Sequence, residues 1–408
     1  MTARTVAVIG LGVGEVRLDD RASDALARAE LLVGGTRQLA AFPDHPARRL
    51  AIAGPLARVL DTVAKAVDAD LPVAVLADGD PLYFGIGRAL VERFGPDSLT
   101  FFPHVTAVGL ACARLGRPWH DLPVVSLHGR TDSTPLFAAL ARQGQAAVYT
   151  DAVHTPAVLA ARIRERGGDR FALTVCEDLG LAGERISRLR PEQAVSQTFS
   201  PLNLVLVEAL RPPEVALGLG LADEALLRRD GVFTKFAARA LVLAALDARP
   251  GDVLYDIGAG VGTVALPASL TNPGGPVYAV ERDPERFRLL ADNIRRTGAL
   301  TVTPVSGQAP DVLAGLPDPD RVFVGGGLSS ATALLDILAD RLHPGGRIVV
   351  AAVLLGSVAK ARAALDRPGF RQSLIQLQAS QAVPLAGDLH FRADNPVCIL
   401  TAVKEARP

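Results

Sequence analysis

Cysteine, tryptophan, lysine and net charge are all scarce in this chain. The three cysteines among 408 residues, Cys112, Cys176 and Cys398, stand far apart, with no CxxC and no Cys/His cluster. That spacing indicates neither a disulfide framework nor a zinc site, so no metal site is expected. Lys plus Arg and Asp plus Glu both number 43, so no net field draws the chain to nucleic acid or to an anionic membrane. A single tryptophan, Trp119, and four tyrosines leave few surfaces on which bases could stack. The lysines are Lys65, Lys235, Lys360 and Lys404 only; in so Ala-rich a chain, the abundance of arginine carries little information by itself. The longest apolar run, around Ile348 to Leu355, falls far short of the roughly 20 residues that cross a bilayer. Met1 leads directly into a strand-like run with no cleavable signal pattern, and a cytoplasmic location is expected.

What is present reads as globular. Apolar residues make up 49% and charged residues 21%, and the length suits two or three domains, each with its own core. Strand-like β-branched runs alternate with helix-like stretches, which favours parallel-sheet α/β domains. In the first half the strand candidates are Val6–Ile9, Leu31–Val33, Val73–Ala77, Thr100–Phe102, Val124–Leu127, Ala147–Tyr149, Phe171–Val175 and Asn203–Val207. Helical runs at Leu56–Val67, Gly87–Phe94 and Pro156–Arg166 lie between several of them. Arg211-Pro212-Pro213 can continue neither element, which sets a boundary between domains 1–210 and 214–408. Beyond it, helix Phe236–Leu246 leads to strands Val253–Tyr255, Val277–Val280, Val302–Val305, Arg321–Val324 and Arg347–Val353. The last two, Ser373–Leu377 and Val397–Thr401, have no clear helix between them, the pattern of a doubly wound sheet with one antiparallel strand.

The sharpest motif is Val253-Leu-Tyr-Asp256-Ile-Gly258-Ala-Gly260-Val-Gly262-Thr263. A strand ends in a carboxylate, and glycines at alternate positions then turn the chain toward a helix, letting backbone approach a ligand closely. The next strand ends in Glu281, placed to hydrogen-bond ribose hydroxyls. A nicotinamide site would need GxGxxG to cradle a pyrophosphate, and neither Gly258 nor Gly260 starts one. Asp256 before the glycines suits a ligand with an ammonium group and no phosphate, which is S-adenosylmethionine. Ser306-Gly307-Gln308-Ala309-Pro310 follows a strand where an adenine edge would lie. Gly325, Gly326 and Gly327 end the next strand and leave room for a large planar substrate.

With Asp230-Gly-Val-Phe-Thr234-Lys235 and Val277-Tyr-Ala-Val-Glu281-Arg-Asp-Pro-Glu285, these runs resemble one family over roughly residues 215–405. It is that of the decarboxylating precorrin C15-methyltransferases, and it implies a Rossmann-like class I methyltransferase fold. The donor-binding residues it implies are Thr234, Asp256, Gly258, Gly260, Gly262, Thr263, Glu281, Gly307, Gln308 and Ala309. Lys235 and Gly325–Gly327 would face the substrate, and Arg228, Arg229 and Arg239 are further candidates to anchor its carboxylates. Pro267, where the family commonly has Glu, and Leu328-Ser329-Ser330 depart from its pattern.

The first half has a different logic. Ile9-Gly10-Leu-Gly12-Val-Gly14 again follows a first strand, but the next strand ends in Gly34-Gly35, where a Rossmann site needs an acid. Together with Gly34-Gly-Thr-Arg37, Gly79-Asp80-Pro81, Val124-Val-Ser-Leu-His128-Gly-Arg130, Leu179-Gly180 and Ser200-Pro-Leu-Asn-Leu204, it resembles the tetrapyrrole methylase superfamily, in its C5-methyltransferase branch. The resemblance implies a two-subdomain α/β fold with the donor between the subdomains, held by Asp80, Pro81, Thr106 and Ala107. Gly10, Gly12 and Gly14 would face the tetrapyrrole, and His128 is expected to be a hydrogen-bonded structural residue.

The two resemblances imply a cobalamin-pathway enzyme that methylates precorrin-6Y at C5 and C15 and decarboxylates an acetate, with one S-adenosylmethionine per domain. A homo-oligomer is expected, without nucleic acid or membrane partners. A cobalt-containing substrate stays open, and no acid or base residue is assigned. A nucleic-acid methyltransferase would need a basic patch with stacking aromatics, which neutral charge and few aromatics disfavour. A non-catalytic scaffold is disfavoured by the intact Gly258, Gly260, Gly262 and Glu281.

Overall fold

The computed structural model describes residues 6–228, 234–325 and 332–406. Strands β1 (Val6–Gly10), β2 (Leu31–Gly34), β3 (Arg48–Ala51), β4 (Val73–Ala77) and β5 (Leu99–Phe102) form a parallel sheet in the order β3-β2-β4-β1-β5. β4 is buried along its whole length, which is why it reads as an unbroken apolar run. A second, mixed sheet joins β6 (Val124–Ser126), β7 (Gln145–Tyr149), β8 (Phe171–Glu177), β9 (Arg185–Leu189) and β10 (Asn203–Ala209) in the order β6-β7-β10-β8-β9. These are the two α/β subdomains expected of the first half. The sequence reading missed β3 and β9, both edge strands carrying arginines, where one side of the strand is unpaired and charge is tolerated.

The third sheet contains β11 (Leu254–Ile257), β12 (Val277–Glu281), β13 (Val302–Ser306), β14 (Arg321–Val324), β15 (Arg347–Ala352), β16 (Phe370–Leu377) and, after a hairpin, β19 (Val397–Lys404). Its order is β13-β12-β11-β14-β15-β19-β16, and β19 runs antiparallel to both of its neighbours. β11 pairs with β12 on one side and β14 on the other, so the order reverses there and a crevice opens at the strands' C-terminal ends. Helix Phe236–Leu246 begins and ends as the sequence predicts. The hairpin of β17 (Ser380–Leu385) and β18 (Asp388–Ala393) is unpredicted; Ala386 and Gly387, both at positive φ, form its two-residue turn.

Among the described residues no sheet takes strands from both sides of Arg211–Pro213, yet the halves touch. Leu300, in the turn before β13, is buried in the core of the second sheet beside Phe171 and Ile163. Arg166 of helix Pro156–Gly167 donates to the Leu300 carbonyl at 3.0 Å and to Thr303 Oγ1 at 2.9 Å, and lies over the Phe137 ring.

Candidate active site

At the end of β11 the chain passes through Gly258–Thr263 into helix Ala265–Thr271. Gly260 has φ +61°, and a Cβ placed there would meet no atom within 4 Å, so this backbone faces open space. Gly262 is required for a different reason: its Cβ would lie 2.8 Å from Leu290 Cδ1, so it serves packing. The buried Glu281, at the end of β12, accepts the Gly260 N–H and the Asp283 N–H at 2.8 Å each, one on each carboxylate oxygen. It thereby ties the glycine turn to the second strand. Each oxygen keeps a lone pair for a further donor.

These elements wall a cavity of about 950 Å³. Thr234, Gly258, Gly260, Thr263, Glu281, Gly307, Gln308 and Ala309 all line it, as do Lys235 and Gly325 from the expected substrate side. Asp256 and Gly262 are not on its wall. Asp256 is 1% exposed and turned inward: one oxygen accepts the Ala265 N–H at 2.9 Å and the other has no partner among the described residues. Burial pushes its carboxyl up to about 7, and the nearby Glu281 charge acts in the same direction. Its observed contact is with the first turn of the following helix, not with the space where a donor's ammonium would sit.

Of the proposed cationic anchors, Arg239 must be corrected. It is fully buried, donates to the Leu221 carbonyl and to Asp223 at 2.7 Å, and holds the connector onto its helix. Lys235 forms an ion pair with Asp394, which follows β18, and both residues line the cavity. Arg228 lines it too. Gly326, Gly327, Arg229, the run Asp230–Phe233 and Leu328–Ser330 lie outside the described residues. Sequence reasoning missed Arg282, Arg286, Asp394 and Asn395 on the wall. For Arg282 the signal was available, since it follows the strand-ending Glu281.

In the first half the expected residues converge through backbone. Gly79 N–H donates to the Gly12 carbonyl at 2.8 Å, and a Cβ on Gly10 would lie 2.4 Å from the Gly79 carbonyl oxygen. A Cβ on Gly14 would strike Gly180 at 2.4 Å, so this glycine allows the first loop to touch the second sheet's Leu179-Gly180 turn. Thr106 caps helix Ala107–Arg114 by accepting the Gly109 N–H at 3.1 Å, and its Cα lies 3.4 Å from where a Gly79 Cβ would be. Asp80 accepts the Leu82 N–H at 2.8 Å, and Pro81 is buried beneath the turn. A second cavity of about 530 Å³ adjoins this cluster. Gly10 lines it with Arg17, Phe102 and His104, whereas Gly12, Gly14, Asp80, Pro81, Thr106 and Ala107 do not.

His104 has both ring nitrogens engaged: Nδ1 accepts the Val105 N–H at 2.8 Å, so Nε2 donates to the Arg17 carbonyl at 2.8 Å. Sequence reasoning also missed an aromatic group beside Thr106. Phe84, at φ 56°, stands 5.0 Å from the Tyr83 ring and 5.7 Å from that of Tyr149. Burial pushes the Tyr149 hydroxyl up to about 12. His128 differs from expectation. It is exposed and makes no side-chain hydrogen bond among the described residues; its turn is held by Asp151, which accepts the Gly129 N–H at 3.1 Å.

Residues 225–404 match a family described as precorrin methyltransferase domain, and residues 5–194 match the tetrapyrrole (corrin/porphyrin) methylases. A precorrin-6Y C(5,15)-methyltransferase (decarboxylating) of Sinorhizobium is 34% identical over 96% of this chain and 94% of its own length. Two shorter proteins of Salmonella typhimurium each match about half of it. A cobalt-precorrin-6B C(15)-methyltransferase (decarboxylating) is 38% identical over 45% of this chain and 96% of its own length. A cobalt-precorrin-7 C(5)-methyltransferase is 33% identical over 49% of this chain and 96% of its own length. With one relative aligned along nearly its entire length and both halves matched by methylase families, the chain belongs to the precorrin-6Y C5,15-methyltransferase (decarboxylating) family.

Proposed function

We propose that this chain methylates precorrin-6Y at C5 in residues 1–210 and at C15 in residues 214–408, the second half also removing CO₂ from an acetate side chain. The observation that carries this reading is the cavity at the reversal point of the third sheet, walled by the glycine turn, Glu281 and Gly307–Ala309. Its open Gly260 backbone and the spare lone pairs of Glu281 fit an adenosyl group whose ribose hydroxyls need acceptors. S-adenosylmethionine, when bound, supplies an already activated methyl group. The chain's task is then mainly to hold a nucleophilic macrocycle carbon in line with that methyl. Thr234 and Gln308 frame the donor, while Lys235 and Gly325 face the substrate.

A second donor belongs in the first half, against Asp80, Pro81, Thr106 and Ala107, with the Gly10–Gly14 loop toward the tetrapyrrole. The contacts among Gly10, Gly12, Gly79 and Thr106 support it, because they bring all the implied segments together. Homo-oligomerisation is part of the reading; Leu385, Leu389 and Phe391 of the hairpin are 58%, 65% and 78% exposed, and sedimentation of the purified chain tests it.

Calorimetry of the full chain with S-adenosylhomocysteine should give two sites, and Gly260→Arg should leave one. With precorrin-6Y and donor, mass spectrometry of the Gly260→Arg product should show at most one added methyl and no loss of CO₂. Retained CO₂ loss in that variant would place decarboxylation in the first half.

A further inference from the structure

We infer that the larger cavity sorts the substrate's carboxylates by charge: Arg282 and Arg286 anchor carboxylates that survive the reaction, while the acetate to be lost lies on an apolar wall with no unpaired cation. The inference rests on the reading of that cavity as the decarboxylating site.

Six charged residues line the cavity, and most are neutralised or held locally. Lys235 pairs with Asp394, and Glu281 accepts two backbone N–H groups. Arg228 has contacts of its own. Arg282 and Arg286 differ: both are exposed, and neither meets a carboxylate among the described residues. Their placement is unfavourable on local grounds. Arg286 lies in the first turn of helix Pro284–Thr297, where the helix dipole disfavours a cation. Arg282 directly precedes the N-cap Asp283, whose carboxylate is engaged by the Glu285 and Arg286 N–H groups, so both guanidiniums stand at one helix start. Local electrostatics that run against the local structure mark a position where a ligand's charge completes the arrangement. A macrocycle bearing several carboxylates supplies that charge, and guanidinium groups suit it because they bind carboxylates bidentately.

The side of β15 and β19 has no unpaired charge among the described residues. Ala351, Ala352 and Val353 at the end of β15, with Leu377, Ala379 and Val397, are uncharged, and the Lys235–Asp394 pair beside Ala379 is neutralised within itself. This matters because decarboxylation moves charge. The C–CO₂ bond breaks, its electron pair enters the conjugated macrocycle, and CO₂ leaves. A proton from water then adds to the former methylene carbon, which becomes a methyl group. A cation against the reacting carboxylate would stabilise the charge where it starts and raise the barrier, whereas an apolar wall withdraws hydration from it. A carboxylate on Arg282 or Arg286 is therefore protected, and one on the β15 wall is not.

The test uses the full chain with precorrin-6Y and S-adenosylmethionine, followed by product mass and CO₂ release. Arg282→Gln/Arg286→Gln should raise KM for the precorrin by about tenfold or more, with S-adenosylhomocysteine affinity within about twofold of wild type. Val353→Lys puts a cation on the apolar wall at a residue already 49% exposed. It should slow CO₂ release by about tenfold or more and yield methylated product that keeps its carboxylate. Val353→Gln, which changes size and polarity without adding charge, should lose several-fold less. An unchanged KM in the arginine variant, or equal losses in V353K and V353Q, would overturn the inference while leaving the site assignment intact. Absence of CO₂ release from the wild-type chain would overturn both.

Discussion

Asp256 closes the inside of the turn whose outer side Gly260 opens to the cavity, and the two make separate predictions. Gly260→Arg costs roughly 1 kcal/mol of backbone strain at its positive φ, because the side chain points into open space. The variant should fold and lose donor affinity in the second half by at least about a hundredfold, an effect of blocked approach. Circular dichroism with calorimetry checks both parts. Asp256 governs a pH effect. Burial lifts its carboxyl from 3.8 to about 7, so between those values the folded chain keeps a proton that the unfolded chain has released. Stability from this group therefore falls as pH rises from about 4 to about 7 and is level on either side, over at most about 4 kcal/mol. In Asp256→Asn, urea denaturation at pH 5 and pH 8 should give a smaller difference than in the wild type. An equal difference would mean that Asp256 does not titrate in this way.

At the scale of elements, the connector after Pro213 depends on Arg239. Its guanidinium satisfies the Leu221 carbonyl and Asp223 from a fully buried position and lies over the Phe236 ring. Arg239→Ala should cost about 2–4 kcal/mol in denaturant unfolding, because both acceptors lose a charged donor. Arg239→Lys should recover part of it, since one ammonium cannot reach both acceptors in the same fork. Most elements were legible because their signals are local. β4 is a continuous apolar run, β11 is a short apolar run marked by the acid before the glycines, and helix Phe236–Leu246 ends where its apolar run ends. The β17–β18 hairpin was missed because it lies outside the main sheet, with side chains exposed on both faces, so no burial imposes a clean alternation. Its two-residue turn at Ala386-Gly387 was the available signal.

Across the molecule, the halves meet through Leu300, which leaves its own sheet and enters the core of the other half, and through Arg166. Burial lowers the Arg166 guanidinium to about 10, and its hydrogen bonds to Leu300 and Thr303 compensate for lost hydration. Leu300→Asp should uncouple the halves. Calorimetric unfolding should show a single transition in the wild type and two in the variant, and proteolysis between residues 211 and 222 should accelerate by about tenfold. A single unshifted transition would show that the contact carries no coupling.

The sequence by itself determined the α/β class of both halves, the two glycine turns, and the second-strand acid that meets one of them, whereas the largely antiparallel pairing of the first half's second sheet came from the tertiary structure. These follow from adjacency: β11 and β12 are neighbours in chain and in sheet, so Glu281 must arrive beside Gly260 once both strands form. Tertiary structure alone decided that Asp256 faces inward, that Arg239 is a structural anchor, and that Arg282 and Arg286 meet no carboxylate among the described residues on the cavity wall. It also decided that Lys235 meets Asp394, 159 residues away, and that Leu300 belongs to the other half's core. Those outcomes depend on side-chain directions and distances between segments far apart in the chain, which neither periodicity nor spacing encodes.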